Sequence, residues 1–142
     1  MHECGYIYRD LHPTHVMQTY EGSVVLLGLR RMRRFTDIKN RLIEVRGNAG
    51  EEPLHEFVSN ARLRGVAEGR KDDLESLGYL ALYLLEGKLP WRVDNLVQGR
   101  SKVTLQQLYG RYGSFFEFMV RVHKMSTEEQ PSYDALYGLI SF

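Results

Sequence analysis

The chain has 142 residues, 43% of them hydrophobic and 26% charged, which is the composition of one globular domain that can bury a single core. A formal net charge of +1 argues against a nucleic-acid-binding protein. The longest nearly apolar run, residues 77–85, is too short to span a bilayer, and the start of the sequence lacks the pattern of a signal peptide. We therefore expect no membrane partner and a cytoplasmic or nuclear location.

The first part of the chain lacks a helical period and contains one strand-like run. In residues 5–17, Pro13 is present and apolar positions do not recur every three to four residues. Residues 23–27 form an apolar, β-branched run that ends at Gly28. This pattern predicts a short buried strand.

Residues 30–69 have several turn-forming residues and no sustained period, so we interpret them mainly as a loop. A loop of this length in a compact domain usually has a function. Its cationic side chains could hold phosphate or an acidic peptide, or they could simply form a solvated surface. This basic cluster consists of Arg30, Arg31, Arg33, Arg34, Lys39, Arg41 and Arg46, with only Asp37 and Glu44 opposing it.

The pattern changes to helical at residue 72. Asp72 followed three residues later by Glu75 predicts a helix N-terminus, and Gly87 is a natural C-terminal stop. Because apolar residues lie almost all round this helix, we expect it to be the buried spine of the domain. The apolar positions are Leu74, Leu77, Leu80, Ala81, Leu84 and Leu85.

Two further helices are predicted near the end of the chain. One has an apolar face with helical spacing, and the other begins at Pro131. Both faces are interpreted as core. They consist of Phe115, Phe118, Met119, Val122 and Met125 in the first helix and of Leu136, Leu139 and Ile140 in the second.

Residues 8–15 read Tyr-Arg-Asp-Leu-His-Pro-Thr-His. This run resembles the catalytic loop of protein kinases, which in the casein kinase 1 group reads roughly His-Arg-Asp-Ile-Lys-Pro-x-Asn. The arginine, the aspartate and the proline of that motif are present. His12 and His15 stand in the places of the lysine and the asparagine.

Several later segments are similar to the casein kinase 1 and vaccinia-related kinase group, in the order and spacing of that group. Such a series is far more specific than one short motif. The matching segments are residues 56–60, 65–66, 70–79, 89–91 and 131–136.

The resemblance implies a mainly α (α+β) fold. We expect one unit over residues 1–142, namely a protein-kinase-like C-terminal lobe with a short β hairpin near the catalytic loop and with the N-terminal lobe absent. Residues 1–29 would hold the catalytic loop and the altered metal-binding triplet. Residues 30–70 would form a loop like the activation segment, and residues 71–142 a helical subdomain.

The two positions that hold Mg²⁺ in the family are altered. The Asp-Phe-Gly triplet corresponds to residues 26–28, so Gly28 is kept and Leu26 replaces the metal-binding aspartate, while His15 replaces the loop asparagine. A leucine has no lone pair, and imidazole is a poor ligand for a hard cation. We therefore expect no cofactor, and ATP with Mg²⁺ only if the chain is active after all.

The resemblance also assigns roles to four other residues. Asp10 would be the catalytic base, His12 would take the place of the lysine that meets the transferred phosphate, and Arg9 would pair with a phosphate or a nearby acid. Asp73 would hold the backbone of the loop. Asp10 and Asp73 can both be retained for structure alone, since a base without positioned nucleotide has nothing to act on.

The remaining candidate groups do not indicate another chemistry. His2, Cys4, His12 and His15 lack the spacing of a transition-metal site, and a single cysteine excludes an intrachain disulfide. Ser59 has no recognisable histidine partner for nucleophilic catalysis. We expect no metal site.

Two classes of function fit these observations. The first is a catalytically impaired kinase-like lobe, a pseudokinase, that binds a protein partner such as an active relative or its substrate. The second is a fragment of a serine/threonine protein kinase that transfers phosphate from ATP. In either case the surface around Val25, Leu26 and Leu27 would be exposed, so we expect self-association or a protein partner.

Overall fold

The computed structural model describes residues 1–45 and 53–140, so Arg46 of the basic cluster lies outside the described residues. The described part contains four short strands and six α-helices, with single 3₁₀ turns between them. No described helix has both the length and the apolar character needed to cross a membrane. The strands are β1 (Tyr6–Ile7), β2 (Val16–Gln18), β3 (Val24–Leu26) and β4 (Arg33–Arg34), and the helices are α1 (Asn60–Leu63), α2 (Arg70–Glu86), α3 (Leu96–Ser101), α4 (Leu105–Tyr109), α5 (Ser114–Lys124) and α6 (Tyr133–Ile140).

The strands form two separate antiparallel pairs. Strand β1 pairs with β4, and β2 pairs with β3 in a hairpin in which Val16 lies opposite Leu26. The hairpin follows the 8–15 loop directly. The predicted strand at residues 23–27 therefore exists, but the prediction that it is buried was wrong, because both of its faces are exposed. An apolar run indicates a strand without indicating what covers it.

The N-cap of helix α2 lies three residues before the predicted cap. Gly69 is the N-cap, and Asp72 acts from the third helical position, where its Oδ2 accepts a hydrogen bond from the Gly69 amide at 2.8 Å. Gly87 ends the helix in the left-handed conformation with φ 72°, as glycine can without strain. Residues 70–83 of the helix are buried or half-buried, but Leu84 and Leu85 are exposed, so the helix is a buried spine only in part.

The core lies between α2 and the C-terminal helices. Helix α5 packs against α2, α4 and α6. Phe115, Phe118, Met119 and Val122 form its buried face as predicted, whereas Met125 lies one residue beyond its end. Helices α3 and α4 were not predicted, and α6 begins at Tyr133, two residues after the predicted start at Pro131. The fold is compatible with a mainly helical kinase-like lobe carrying a small amount of β structure. The most buried large side chains of the main core are Tyr8, Val58, Trp91, Tyr109, Phe118, Met119 and Val122.

Candidate functional site

The 8–15 loop is fixed to α2 through one carboxylate. Asp73, in the first turn of α2, accepts hydrogen bonds from the backbone amides of Tyr8 at 2.7 Å and Arg9 at 2.8 Å. Its Oδ2 also lies 2.8 Å from Nε2 of His2, whose other ring nitrogen lies 2.6 Å from the Tyr133 hydroxyl. The loop is thus connected to α2 directly and to α6 through His2.

The backbone of the loop is held in an uncommon conformation at Arg9. Its φ is 68°, in the left-handed region that non-glycine residues seldom adopt. The adjacent Tyr8 is buried, and its hydroxyl donates to the carbonyl of Leu27 at the end of the hairpin. Asp73 accepts hydrogen bonds from the amides of Tyr8 and Arg9. These contacts can maintain the strained backbone at Arg9.

The side chain of Arg9 forms a buried ion pair. Its Nε donates to Oε2 of Glu68 at 2.8 Å, and Arg62 lies 3.7 Å from the same oxygen. Burial raises the pKa of Glu68, and the two arginines oppose that rise. The Glu68 amide also donates to the Val45 carbonyl, so this pair connects the 8–15 loop to the segment before α2. Arg9 therefore serves the packing of the loop.

The carboxylate of Asp10 is buried and surrounded by cationic or basic groups. Nη1 of Arg31 donates to Oδ1 at 2.8 Å, and Nε2 of His55 lies 3.3 Å from the same oxygen. Nδ1 of His15 lies 2.9 Å from the Asp10 carbonyl and 3.4 Å from Oδ2. The side chain that would act as a base is therefore engaged by groups of this chain.

The imidazole of His12 lies edge-to-face with two other imidazoles, those of His55 and His15. The ring of His12 lies 5.3 Å from that of His55 and 6.0 Å from that of His15. Burial, followed by the nearby His12 and the cation Arg31, lowers the pKa of His55 to about 3. Burial and His15 also lower the pKa of His12, whose Nδ1 lies 2.7 Å from the Thr14 hydroxyl. His12 and His55 are therefore neutral at pH 7.

The side chains at the two positions that the resemblance assigns to Mg²⁺ offer no oxygen ligand. Leu26 has an aliphatic side chain at the exposed end of β3, and Nδ1 of His15 is directed at the backbone and carboxylate of Asp10. Within the described ranges, no group of three or more His, Cys, Asp or Glu side chains is arranged to hold a metal ion. The described residues do not fit the magnesium-bound nucleotide that active relatives would require.

Gly28 follows strand β3 and lies close to the imidazole of His15 in the 8–15 loop. It adopts φ 72°, and a Cβ at this position would lie 3.0 to 3.1 Å from ring atoms of His15. A larger residue would be strained in its backbone and would also crowd the imidazole. The retained glycine thus has a steric reason in this chain.

The sequence analysis did not predict a role at this site for four of the residues that contact the loop or Asp73. Arg31 appeared only as a member of the basic cluster, and His55 and Glu68 carried no motif. His2 was considered only for metal binding. Their contacts with residues 8–15 or with Asp73 bridge up to 71 residues of sequence, which no local pattern reveals.

No protein-family model matches the chain. A probable casein kinase I homolog of Encephalitozoon cuniculi is 26% identical to it over 156 residues, which cover 99% of this chain and 51% of that protein. Casein kinase I homolog 3 and casein kinase I homolog 1 of Schizosaccharomyces pombe are each 27% identical to it. Those alignments cover 98% and 99% of this chain, and 36% and 35% of the two relatives.

The relatives confirm the resemblance that the motifs predicted. The chain spans between about a third and a half of the length of these curated relatives, and this partial coverage fits a C-terminal lobe. The helical architecture and the anchored 8–15 loop agree with that assignment. Over nearly its whole length, the chain is therefore similar to part of these casein kinase I homologues, which supports a kinase-like fragment of the casein kinase 1 group.

Proposed function

We propose that this chain is a catalytically impaired, casein-kinase-1-like lobe that acts by binding another protein. The observation that carries the proposal is the state of the loop, in which Asp10 is paired with Arg31 while Leu26 and His15 occupy the two metal positions. The loop keeps the parts that hold its shape and lacks the parts that hold Mg²⁺.

The expected loss of transition-state stabilisation supports impaired catalysis. Phosphoryl transfer depends on positioning and on charge neutralisation by Mg²⁺, and the metal contributes several kcal/mol of transition-state stabilisation. Each ~1.4 kcal/mol is a factor of about ten in rate. His12, neutral at pH 7, does not supply the charge that the family's lysine brings to the transferred phosphate. These changes together leave little activity.

A protein-binding role is supported by the surface of the β2–β3 hairpin. Val24 is 68% exposed, and Val25, Leu26, Leu27 and Leu29 beside it are exposed as well. A contiguous apolar surface of this kind is characteristic of an interaction site. We propose that it contacts a protein partner, such as an active relative or its substrate, or a second copy of this chain.

The melting temperature of the purified chain, with and without ATP and with and without Mg²⁺, tests the proposal. A ligand at about a hundred times its dissociation constant stabilises a folded binder by roughly 2.7 kcal/mol. We expect a cooperative melt with no shift. The matched control is an active casein kinase 1 relative in which leucine replaces the triplet aspartate, because it should lose the Mg²⁺-dependent shift that its parent shows. A Mg²⁺-dependent shift of this chain would contradict the proposal.

The second candidate function is that of a serine/threonine kinase fragment. It is favoured by the retention of Arg9, Asp10 and Asp73 in an ordered loop. Transfer of labelled phosphate from ATP to a protein serine or threonine, lost on Asp10→Asn, would establish it. Transfer that persists in Asp10→Asn would come from a contaminating kinase.

A further inference from the structure

A cleft lies between residues 2–5, the segment after β4 and the N-terminal ends of α2 and α6. Its volume is about 480 Å³, within the usual range for small-molecule sites. The lining includes the polar side chains of His2, Arg70 and Tyr133 and the apolar side chains of Phe35 and Leu42. The size and the mixed lining of this His2 cleft suit a small molecule that has a polar and an apolar part.

Three side chains at the edge of the His2 cleft form a hydrogen-bonded series. The Tyr133 hydroxyl lies 2.6 Å from Nδ1 of His2, and Nε2 of His2 lies 2.8 Å from Oδ2 of Asp73. A carboxylate only accepts hydrogen bonds, so Nε2 of a neutral His2 carries the hydrogen and Nδ1 is left to accept from the tyrosine. The series therefore has the order hydroxyl, imidazole, carboxylate, which is the order in which enzymes activate a nucleophilic hydroxyl group.

The imidazole of His2 is held in place on both sides. Asp73 is fixed by two backbone amides of the 8–15 loop, which donate to it at 2.7 and 2.8 Å. The ring of His2 lies edge-to-face with that of Phe35, with 6.4 Å between the ring centres. The His2 side chain is 13% exposed, whereas Tyr133 is 36% exposed and lines the cleft. The hydroxyl end of the series is therefore the end that a bound molecule can approach.

Tyr133 needs a base before it can react. Burial raises the pKa of Tyr133, and the charges of Asp73 and Glu3 add to that rise, so the phenol keeps its proton at pH 7. A protonated phenol is a weak nucleophile, and a neighbouring imidazole can take the proton during the attack. The charge of Arg70 opposes the rise in the pKa, so this guanidinium favours negative charge at the tyrosine oxygen. Arg70 lines the same cleft, where its Nη2 donates to the Glu128 carbonyl at 2.8 Å.

We propose that Tyr133 accepts an acyl group from a small activated ester bound in the His2 cleft, with His2 as the general base and Asp73 as its positioning residue. A bond forms between the tyrosine oxygen and the acyl carbon, and the bond between that carbon and the leaving oxygen breaks. The electron pair of the broken bond stays with the leaving oxygen. The phenol proton passes to Nδ1 of His2 and from there to the leaving oxygen. This inference goes beyond the proposed function, since it requires neither nucleotide nor the hairpin surface.

Mass spectrometry of the whole chain after brief exposure to p-nitrophenyl acetate tests the proposal. Tyr137 is the internal control, because it lies one turn later in α6 and is 70% exposed. We expect Tyr133 to gain an acetyl group at least tenfold faster than Tyr137. His2→Gln should slow the acetylation of Tyr133 at least tenfold and leave that of Tyr137 unchanged.

The dependence of the acetylation rate on pH distinguishes a base from a structural contact. The rate at Tyr133 should rise between about pH 5 and pH 8, where imidazoles lose their proton, and then level off. Asp73→Asn should slow the acetylation and move this rise to lower pH, because the imidazolium loses its negative neighbour. A purely structural role of Asp73 would leave the position of the rise unchanged.

Three outcomes would overturn the proposal. Equal rates at Tyr133 and Tyr137 would mean that no base assists Tyr133, and this comparison within the unaltered chain decides even if the variants fail to fold. An unchanged rate at Tyr133 in His2→Gln would mean that the imidazole takes no part. Acetylation of His2 without any of Tyr133 would make the imidazole the nucleophile and would exclude the tyrosine from that role.

Discussion

The helical region and the hairpin region of this chain treat their apolar residues in opposite ways. In the helical region, Tyr109, Phe115 and Phe118 are buried and in contact through their rings. In the hairpin, Val24 is 68% exposed and Met17 is 50% exposed. The helical region therefore contributes much of the buried apolar core, whereas the hairpin leaves its apolar side chains on the surface.

The same contrast runs through the polar residues. Asp73 and Glu68, which hold the loop in place, keep well-formed hydrogen bonds. Leu26 and His15, at the positions that would perform chemistry, are of the wrong type for Mg²⁺. The residues that hold the shape of the loop are therefore different from those at the two positions that the resemblance assigns to Mg²⁺.

The largest expected effect comes from opening the helical core. Leu82→Ala should destabilise the chain by about 2–5 kcal/mol, because Leu82 is 2% exposed and its removal leaves a cavity. Leu84→Ala is the matched control in the same helix. Leu84 is 70% exposed, so its replacement should change stability by less than about 0.5 kcal/mol. Urea denaturation measures both, and equal losses would mean that the two faces of α2 are wrongly assigned.

The next largest effect is expected from removing the hydrogen bonds between Asp73 of α2 and the 8–15 loop, which precedes the hairpin. Asp73→Ala should cost about 2–4 kcal/mol, because it leaves the amides of Tyr8 and Arg9 without their acceptor. Asp134→Ala, on the exposed start of α6, serves as control and should cost less than about 1 kcal/mol. Hydrogen exchange should show the loss of protection at Tyr8 and Arg9. Protection retained there would show that another group holds the loop.

A smaller effect is expected on the pH dependence of the free energy of unfolding, to which a buried histidine in each region contributes. The pKa of His55 is about 3 when folded and near 6.5 when unfolded, so between these values only the unfolded chain binds the proton. The free energy of unfolding should therefore fall as pH falls below 6.5, by up to about 1.4 kcal/mol per pH unit. His55→Gln should flatten this dependence.

His123→Gln is the counterpart in the helical region. Burial lowers the pKa of His123 too, so its replacement should also flatten the pH dependence, in the same direction. We expect the larger change from His55, and urea denaturation at pH 5 and pH 7 measures it. An unaltered slope in His55→Gln would contradict the assignment of His55 as a buried neutral imidazole.

The sequence predicted what depends on local periodicity. The buried faces of α5 and α6, the end of α2 at Gly87 and the strand before Gly28 all follow from the spacing of apolar residues and glycines. Helices α3 and α4 have only six and five residues, too few to give a reliable period. The burial of β3 was mispredicted because it depends on what packs over the strand.

The contacts of the candidate site could be predicted only in part. The motif resemblance placed Asp73 and residues 8–15 at one site, and the structure brings them into contact. It gave no indication that Arg31 would pair with Asp10, since the two are 21 residues apart and the arginine belonged to a general basic cluster. Pairings of this kind depend on how the loops pack in three dimensions.

The smallest effect on stability and the most direct test of the hairpin comes from Val24→Lys. Val24 is exposed, so the substitution should change the free energy of unfolding by less than about 0.5 kcal/mol. If the hairpin is a contact surface, the charge should weaken self-association or partner binding, since it must be desolvated in the interface. Ile38→Lys is the matched control, because Ile38 is a β-branched residue that is 86% exposed outside the hairpin. Sedimentation velocity over a range of concentrations should show weaker association for Val24→Lys alone. If the two variants associate equally, the exposed hairpin has no role in self-association. The contrast between the two regions would then concern folding only.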